Sequence, residues 1–151
     1  MPAPDDTRIL LDVMCGGLRT LLRMLGYDTV YAPNRDVEAD EALISLARGE
    51  GRYLITRDED LTRRFEPSLL LRSTDTDDQL AELARAGFEL ELTDPSRCAT
   101  CNAELERVSE GPVPAYAPDP ESESLWRCTA CGQVFWKGSH WADVSARVAD
   151  Y

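Results

Sequence analysis

The chain has 151 residues, with 28 acidic side chains against 16 basic ones and a net charge of −12. That length suits one ordinary domain, or one domain plus a small module, and no apolar run approaches the ~20 residues that cross a membrane. Such acidity argues against general phosphate binding, which needs neutralising cations. The exception is a surface adapted to concentrated salt, where at ~1 M the Debye length is about 3 Å and surface charge says little about partners. The halophilic reading is the favoured one. No secretory pattern precedes the first strand, so a soluble cytoplasmic protein is expected.

Residues Met1–Asp6 read as a frayed acidic terminus. Arg8-Ile9-Leu10-Leu11-Asp12-Val13-Met14 is then a near-continuous apolar run. It suits a central parallel strand covered on both faces. Asp12 interrupts it near its end, where a carboxylate is costly to bury unless it is paired or binds a cation. Cys15, in a Cys-Gly-Gly turn, reads as a buried small hydrophobe. The next helix has Leu18, Leu21, Leu22 and Leu25 on one face, Arg19 and Arg23 on another, and Gly26 at its end. The two arginines lie one turn apart and point the same way. They form either a solvated face or, beside Asp12, a pair that reaches a phosphate backbone.

Tyr27–Ala32 is a second strand and Pro33-Asn34 a turn. The acidic patch Asp36, Glu38, Asp40, Glu41 leads into a helix with Ala42, Leu43, Leu46 and Ala47 inward. Tyr53-Leu54-Ile55-Thr56 is a third strand, and it breaks into Thr-x-Asp-x-Asp at Thr56, Asp58 and Asp60. These acids either cap the following helix or face a ligand at the carboxyl end of the sheet. Asp12, ending another strand in the same way, favours the ligand. Leu69–Leu71 is a fourth strand, and a helix runs from about Asp77 to Ala86. Alternating strands and helices predict a three-layer α/β domain with a mostly parallel sheet over residues 1–94.

Residues 95–151 read differently. Cys98, Cys101, Cys128 and Cys131 form two Cys-x-x-Cys knuckles joined by a 26-residue insert. In a cytosolic chain such pairs read as metal ligands before disulfides. Two knuckles place four thiolates tetrahedrally around Zn²⁺, and a site closed by four thiolates holds a fold without doing chemistry. The extra insert length lies in a loop rich in Pro, Glu and Ser from Gly111 to Ser124, read as long and mobile. Val134-Phe135-Trp136 is a strand of this zinc ribbon, and a short terminal helix carries Val144 and Val148. His140 is the only histidine and Lys137 the only lysine. Flanked by Ser139 and Trp141, they suit a nucleic-acid contact through phosphate and base stacking.

Several stretches together resemble the Mut-seven C-terminal RNase domain, a PIN-like nuclease fold joined to a zinc ribbon. They are Leu11-Asp12-Val13-Met14 with Gly16, Gly17 and Leu18-Arg19; Leu21 to Asp28; Thr56-Arg57-Asp58; the two knuckles; and Trp136-Lys137-Gly138-Ser139-His140-Trp141. The resemblance runs across nearly the whole chain, although Cys15 stands where a bulky aliphatic residue is expected. It implies a metal-dependent ribonuclease with Asp12, Asp40 and Asp58 as catalytic acids. Glu38 or Glu41 are alternatives to Asp40, and Asp60 or Asp77 would be a fourth acid. Clustered carboxylates suit Mg²⁺ or Mn²⁺. Arg19, Arg23, Arg57, Lys137 and His140 are then the candidates for contacts to RNA, expected to be single-stranded. The competing reading is a non-catalytic adaptor whose zinc ribbon binds RNA or protein. The convergence of Asp12 and Asp58 discriminates between them.

Overall fold

The computed structural model describes residues 2–151. Strands β1 (Arg8–Leu11), β2 (Asp28–Tyr31), β3 (Arg52–Thr56) and β4 (Ser68–Leu70) form one sheet in the order β2-β1-β3-β4. All three pairings are parallel, with Leu11 opposite Tyr31 on one side and Ile55 on the other.

Side chains alternate across a strand, so the apolar runs of β1 and β3 feed two cores. Ile9, Leu11 and Ile55 pack with Leu18, just before α1 (Arg19–Met24), and with α1 and α4 (Thr76–Arg85) through Leu21, Leu22, Leu80 and Leu83. Leu10, Val30 and Leu54 pack on the other face with α2 (Asp40–Glu50) and α3 (Glu59–Arg64) through Leu43, Ile44, Ala47 and Leu61. The result is helices on both faces of a parallel sheet. Each fully buried leucine stabilises it by about 1.5–3 kcal/mol. Ala42, expected inward, is exposed, because the helical period puts Leu43, Ile44 and Ala47 on the buried side.

β1 is shorter than the apolar run. The Asp12 carboxylate accepts the Val13 N–H at 2.7 Å and starts a 3-10 turn over Val13–Leu18. Val13 and Met14, expected in the strand, are therefore 56% and 60% exposed. Gly16 serves this turn sterically: a Cβ there would lie 2.8 Å from the Tyr31 ring.

A second sheet of β5 (Leu105–Arg107), β6 (Trp126–Cys128) and β7 (Val134–Phe135) is antiparallel. The last helix, α5 (Ser139–Val148), begins earlier than expected and includes His140 and Trp141. Its Val144 and Val148 complete the core made by α1 and α4. The amino terminus is also tied down, contrary to the frayed expectation. The Pro2 carbonyl accepts the Tyr27 hydroxyl at 3.0 Å and the Glu89 N–H at 2.8 Å. Met1 lies outside the described residues. Among those residues no helix is long and apolar enough to cross a membrane.

Candidate active site and metal centre

The chain leaves β1 towards β2 and then returns across it to β3, so the strand order reverses between β1 and β3. In open α/β sheets ligands bind outside the carboxyl ends of the strands at such a reversal. Asp12 follows β1 and Asp58 follows β3, so both stand at that crevice.

Thr56 joins them. Its side chain is fully buried, and its hydroxyl donates to Asp12 Oδ2 at 2.8 Å. The Thr56 hydroxyl oxygen also accepts the Asp58 backbone N–H at 3.0 Å. Asp58 in turn caps α3, accepting the Asp60 N–H at 2.9 Å. Asp12 is half-buried and Asp58 exposed, so each keeps carboxylate oxygen lone pairs open to solvent or a ligand. The capping and ligand readings thus coexist, since an Asp oxygen accepts more than one bond.

The other acids are placed differently. Asp40 begins α2 and meets Arg64 at 3.4 Å, a guanidinium that also touches Glu41 and lies 3.8 Å from Asp60. Asp77 is paired with Arg147 at 2.6 Å. Glu38 is exposed in the segment before α2. Among the described residues, no three acids form a group that could hold a metal ion. Arg64 was not singled out from sequence, because nothing local marks which arginine meets acids about 24 positions away.

The arginines separate as well. Arg19 is exposed, its guanidinium 4.8 Å from the Tyr31 ring centroid. Arg23 is 3% exposed and gives hydrogen bonds to the carbonyls of Thr29, Ala99 and Thr100 at 3.0, 3.0 and 3.2 Å. The expectation that Arg23 reaches a phosphate is corrected accordingly: its donors are taken up by backbone in the interior. Arg57 is half-buried beside Thr56; it donates to the Arg72 carbonyl at 3.2 Å while its Nε is buried without a partner. Lys137 meets Asp94 at 2.7 Å and lies 5.8 Å from the Trp141 ring centroid. His140 is exposed on the first turn of α5.

Cys98, Cys101, Cys128 and Cys131 bring their sulfurs within 4.8 Å of one another. Cys98–Cys131 and Cys101–Cys128 are 3.7 and 3.4 Å apart. A Zn–S bond of about 2.3 Å implies tetrahedral S···S edges of about 3.8 Å, whereas a disulfide needs about 2.05 Å. The cluster therefore fits zinc. Backbone N–H groups of Cys101, Ala130 and Cys131 point at the Cys98 and Cys128 sulfurs at 3.3–3.4 Å. Burial pushes the Cys98 thiol up to about 12. Burial opposes ionisation of Cys128 too, but the N–H groups of Cys131 and Ala130 and the neighbouring thiols draw it down to about 6.

The first knuckle is bonded to the α/β layer by two side chains. One is Arg23. The other is Asn102, left-handed at φ 73°, whose Oδ1 accepts the Thr29 N–H at 2.8 Å and whose Nδ2 donates to Asp28 at 2.7 Å. Asn tolerates that conformation better than most residues.

The model of the Mut7-C RNAse domain matches residues 7–148, which includes the paired acids and all four knuckle cysteines. The chain belongs to the Mut7-C RNAse domain family. Comparisons with curated proteins and with solved structures gave no match. Membership in the Mut7-C family points to a nuclease-type function with RNA as the substrate class. The cysteine cluster adds a metal site able to hold zinc.

Proposed function

We propose that this Mut7-C domain is a metal-dependent ribonuclease with a PIN-like active site that hydrolyses phosphodiesters of single-stranded RNA. The observation that carries the reading is the Thr56 hydroxyl joining Asp12 and Asp58 at the strand-order reversal. The donor set there is carboxylate oxygen. Cys15, the one sulfur nearby, is fully buried, and burial followed by the Asp12 charge pushes its thiol up to about 12. Mg²⁺ and Mn²⁺ prefer oxygen, and Mg²⁺ is commonly held by one or two carboxylates with water and substrate phosphate completing its shell. The Asp12 carboxylate bonded to the Thr56 hydroxyl, with Asp58 held by its backbone N–H to the same hydroxyl, fits that habit.

Asp12 and Asp58 would hold the ion, and Asp40, at the start of α2 and now 3.4 Å from Arg64, would turn from that guanidinium to act as the third catalytic acid. When bound, such an ion activates water and stabilises the leaving oxygen. The chain's own residues supply position. Thr56 orients Asp12 and orders the turn that presents Asp58. Arg57, with its unpartnered Nε, and the exposed Arg19 supply positive charge for the phosphates. Asp60 and Asp77 stay with Arg64 and Arg147 in this reading. The net charge of −12 is then a solvation device for high salt. The five free cysteines suit a reducing, cytoplasmic setting.

The test is cleavage of labelled single-stranded RNA with Mn²⁺, in low and high salt, by the parent, Asp12→Asn and Asp58→Asn. Asn caps as well as Asp, so both variants should fold and both should lose cleavage. Folded variants that cleave like the parent would remove the acids from the mechanism. An adaptor would bind the RNA and leave it intact.

A further inference from the structure

A cavity of about 310 Å³ opens where the zinc ribbon, the end of α1 and the start of α5 meet. It is separate from the acids: Met24, at the far end of α1 from Asp12, forms part of its wall. Tyr116, Phe135, Trp136 and Trp141 set four aromatic rings into its wall. Tyr116 and Trp136 lie 27° from parallel with centroids 6.3 Å apart. Tyr116 is anchored although 57% exposed, because its hydroxyl accepts the Val134 N–H at 3.0 Å. Trp136 is held against Gly138, where a Cβ would lie 2.7 Å from the indole nitrogen. The rings are therefore built into position.

Charge selects the occupant. The chain carries 28 acidic residues, yet none lines this cavity, whereas Arg97 and His140 do. Lys137, the only lysine, sits at its edge over Trp141 and is paired there with Asp94 at 2.7 Å, an exposed contact that a phosphate would have to displace. A cationic peptide would find no counter-charge inside. An anionic ligand with a flat π face fits, and Gln133 and Ser139 add hydrogen-bonding groups at the wall. Aromatic side chains bind bases through faces exposed only when the base is unpaired.

We propose that this cavity takes one unpaired nucleobase of the RNA, stacked on the aromatic wall, with its backbone phosphate towards Lys137 and His140. The identity of the strand as RNA rests on the ribonuclease reading, but the binding itself does not need the acids. The zinc ribbon would thus grip the substrate at a distance from the cleavage centre.

The experiment uses the full zinc-loaded chain without added Mg²⁺ or Mn²⁺. Binding is read by anisotropy of three labelled strands of equal length: an intact single strand, an abasic single strand and a duplex. The intact strand should bind of order ten-fold more tightly than the abasic one, and more tightly than the duplex. Tyr116→Ala and Trp141→Ala should remove most of that preference while leaving affinity for the abasic strand unchanged. Circular dichroism and zinc content establish that each variant is folded. Equal binding of intact and abasic strands by the parent, or no binding at all, would overturn the proposal without any variant. Unchanged base preference in folded variants would also overturn it. Base-dependent binding by a parent that never cleaves with Mn²⁺ would sink the ribonuclease reading and leave this pocket standing. Cleavage without base-dependent binding would do the reverse.

Discussion

Thr56→Val removes one oxygen and keeps the shape of the side chain. The lost hydroxyl is fully buried, donates to Asp12 and accepts from the Asp58 backbone. A hydrogen bond to a charged group contributes about 1.5–3 kcal/mol. Asp12 is only half-buried, so water recovers part of that loss, and about 1.5–2 kcal/mol is the expected cost. At about 2–4 °C per kcal/mol for a chain of this size, the melting temperature should fall by roughly 3–8 °C. Activity should fall further than stability. An approximately 1 Å misplacement of a catalytic group costs on the order of 100-fold, so kcat for single-stranded RNA should drop by that order with KM little changed. Thr56→Ser, which keeps the oxygen, should restore most of the rate. Melting curves and Mn²⁺-dependent cleavage on the same preparations decide the matter. If Thr56→Val melts lower yet cleaves at the parental rate, the acids do not depend on their shared hydroxyl. The geometric basis of the proposed site then fails.

Arg23→Met should cost about 3–5 kcal/mol in urea melts, since it strands buried carbonyls that now bond a guanidinium; Arg19→Met, at an exposed position, should stay within about 0.5 kcal/mol. Metal analysis should find about one zinc per chain, and Cys128→Ser should lose it. Because Arg23 and Asn102 tie the knuckle to β2, zinc loss should lower the melting of the whole chain; an unchanged α/β transition beside a separate early one would refute that coupling. Burial alone would raise the Asp28 pKa, but hydrogen bonds from Asn102 and Arg52 hold it below its ordinary 3.8. Its stabilisation is therefore full above that value and lost as pH falls through the depressed one. Asp28→Asn should flatten the acid limb of stability below about pH 4, as read by fluorescence-monitored acid unfolding.

The parallel sheet was legible because β1 and β3 carry apolar runs with an acid at the end of each. The four cysteines were legible because knuckle spacing has few other uses. The boundary of β1 was not, since Val13 and Met14 look like strand residues and only the Asp12 side chain, by taking the Val13 N–H, turns the chain. Arg19 and Arg23 share a helical face in projection, but a helix of six residues packs one end more deeply than the other. The ion pairs of Asp40 with Arg64 and Asp77 with Arg147 span 24 and 70 positions, and no periodic pattern reports contacts at such range. The aromatic cavity was half visible. Trp136 to Trp141 stood out as a group, but Tyr116 lies in a Pro-rich loop with nothing to mark its partner.

The placement of Val144 and Val148 in the core of α1 and α4 has a bearing on how the protein comes off the ribosome. Every strand of the parallel sheet has been synthesised by residue 70 and α4 by residue 85. The surface that α5 covers, with Leu80, Leu83 and Phe88, stays open until the chain reaches Val148. At about 5–20 residues per second, the stretch from Leu90 to Val148 takes roughly 3–12 s to make. During that interval the acids of the sheet are present but the layer beneath them is unfinished. A nascent chain therefore carries Asp12 and Asp58 in an incomplete body, and closure of the core coincides with arrival of the segment that includes the last knuckle cysteine and the aromatic wall.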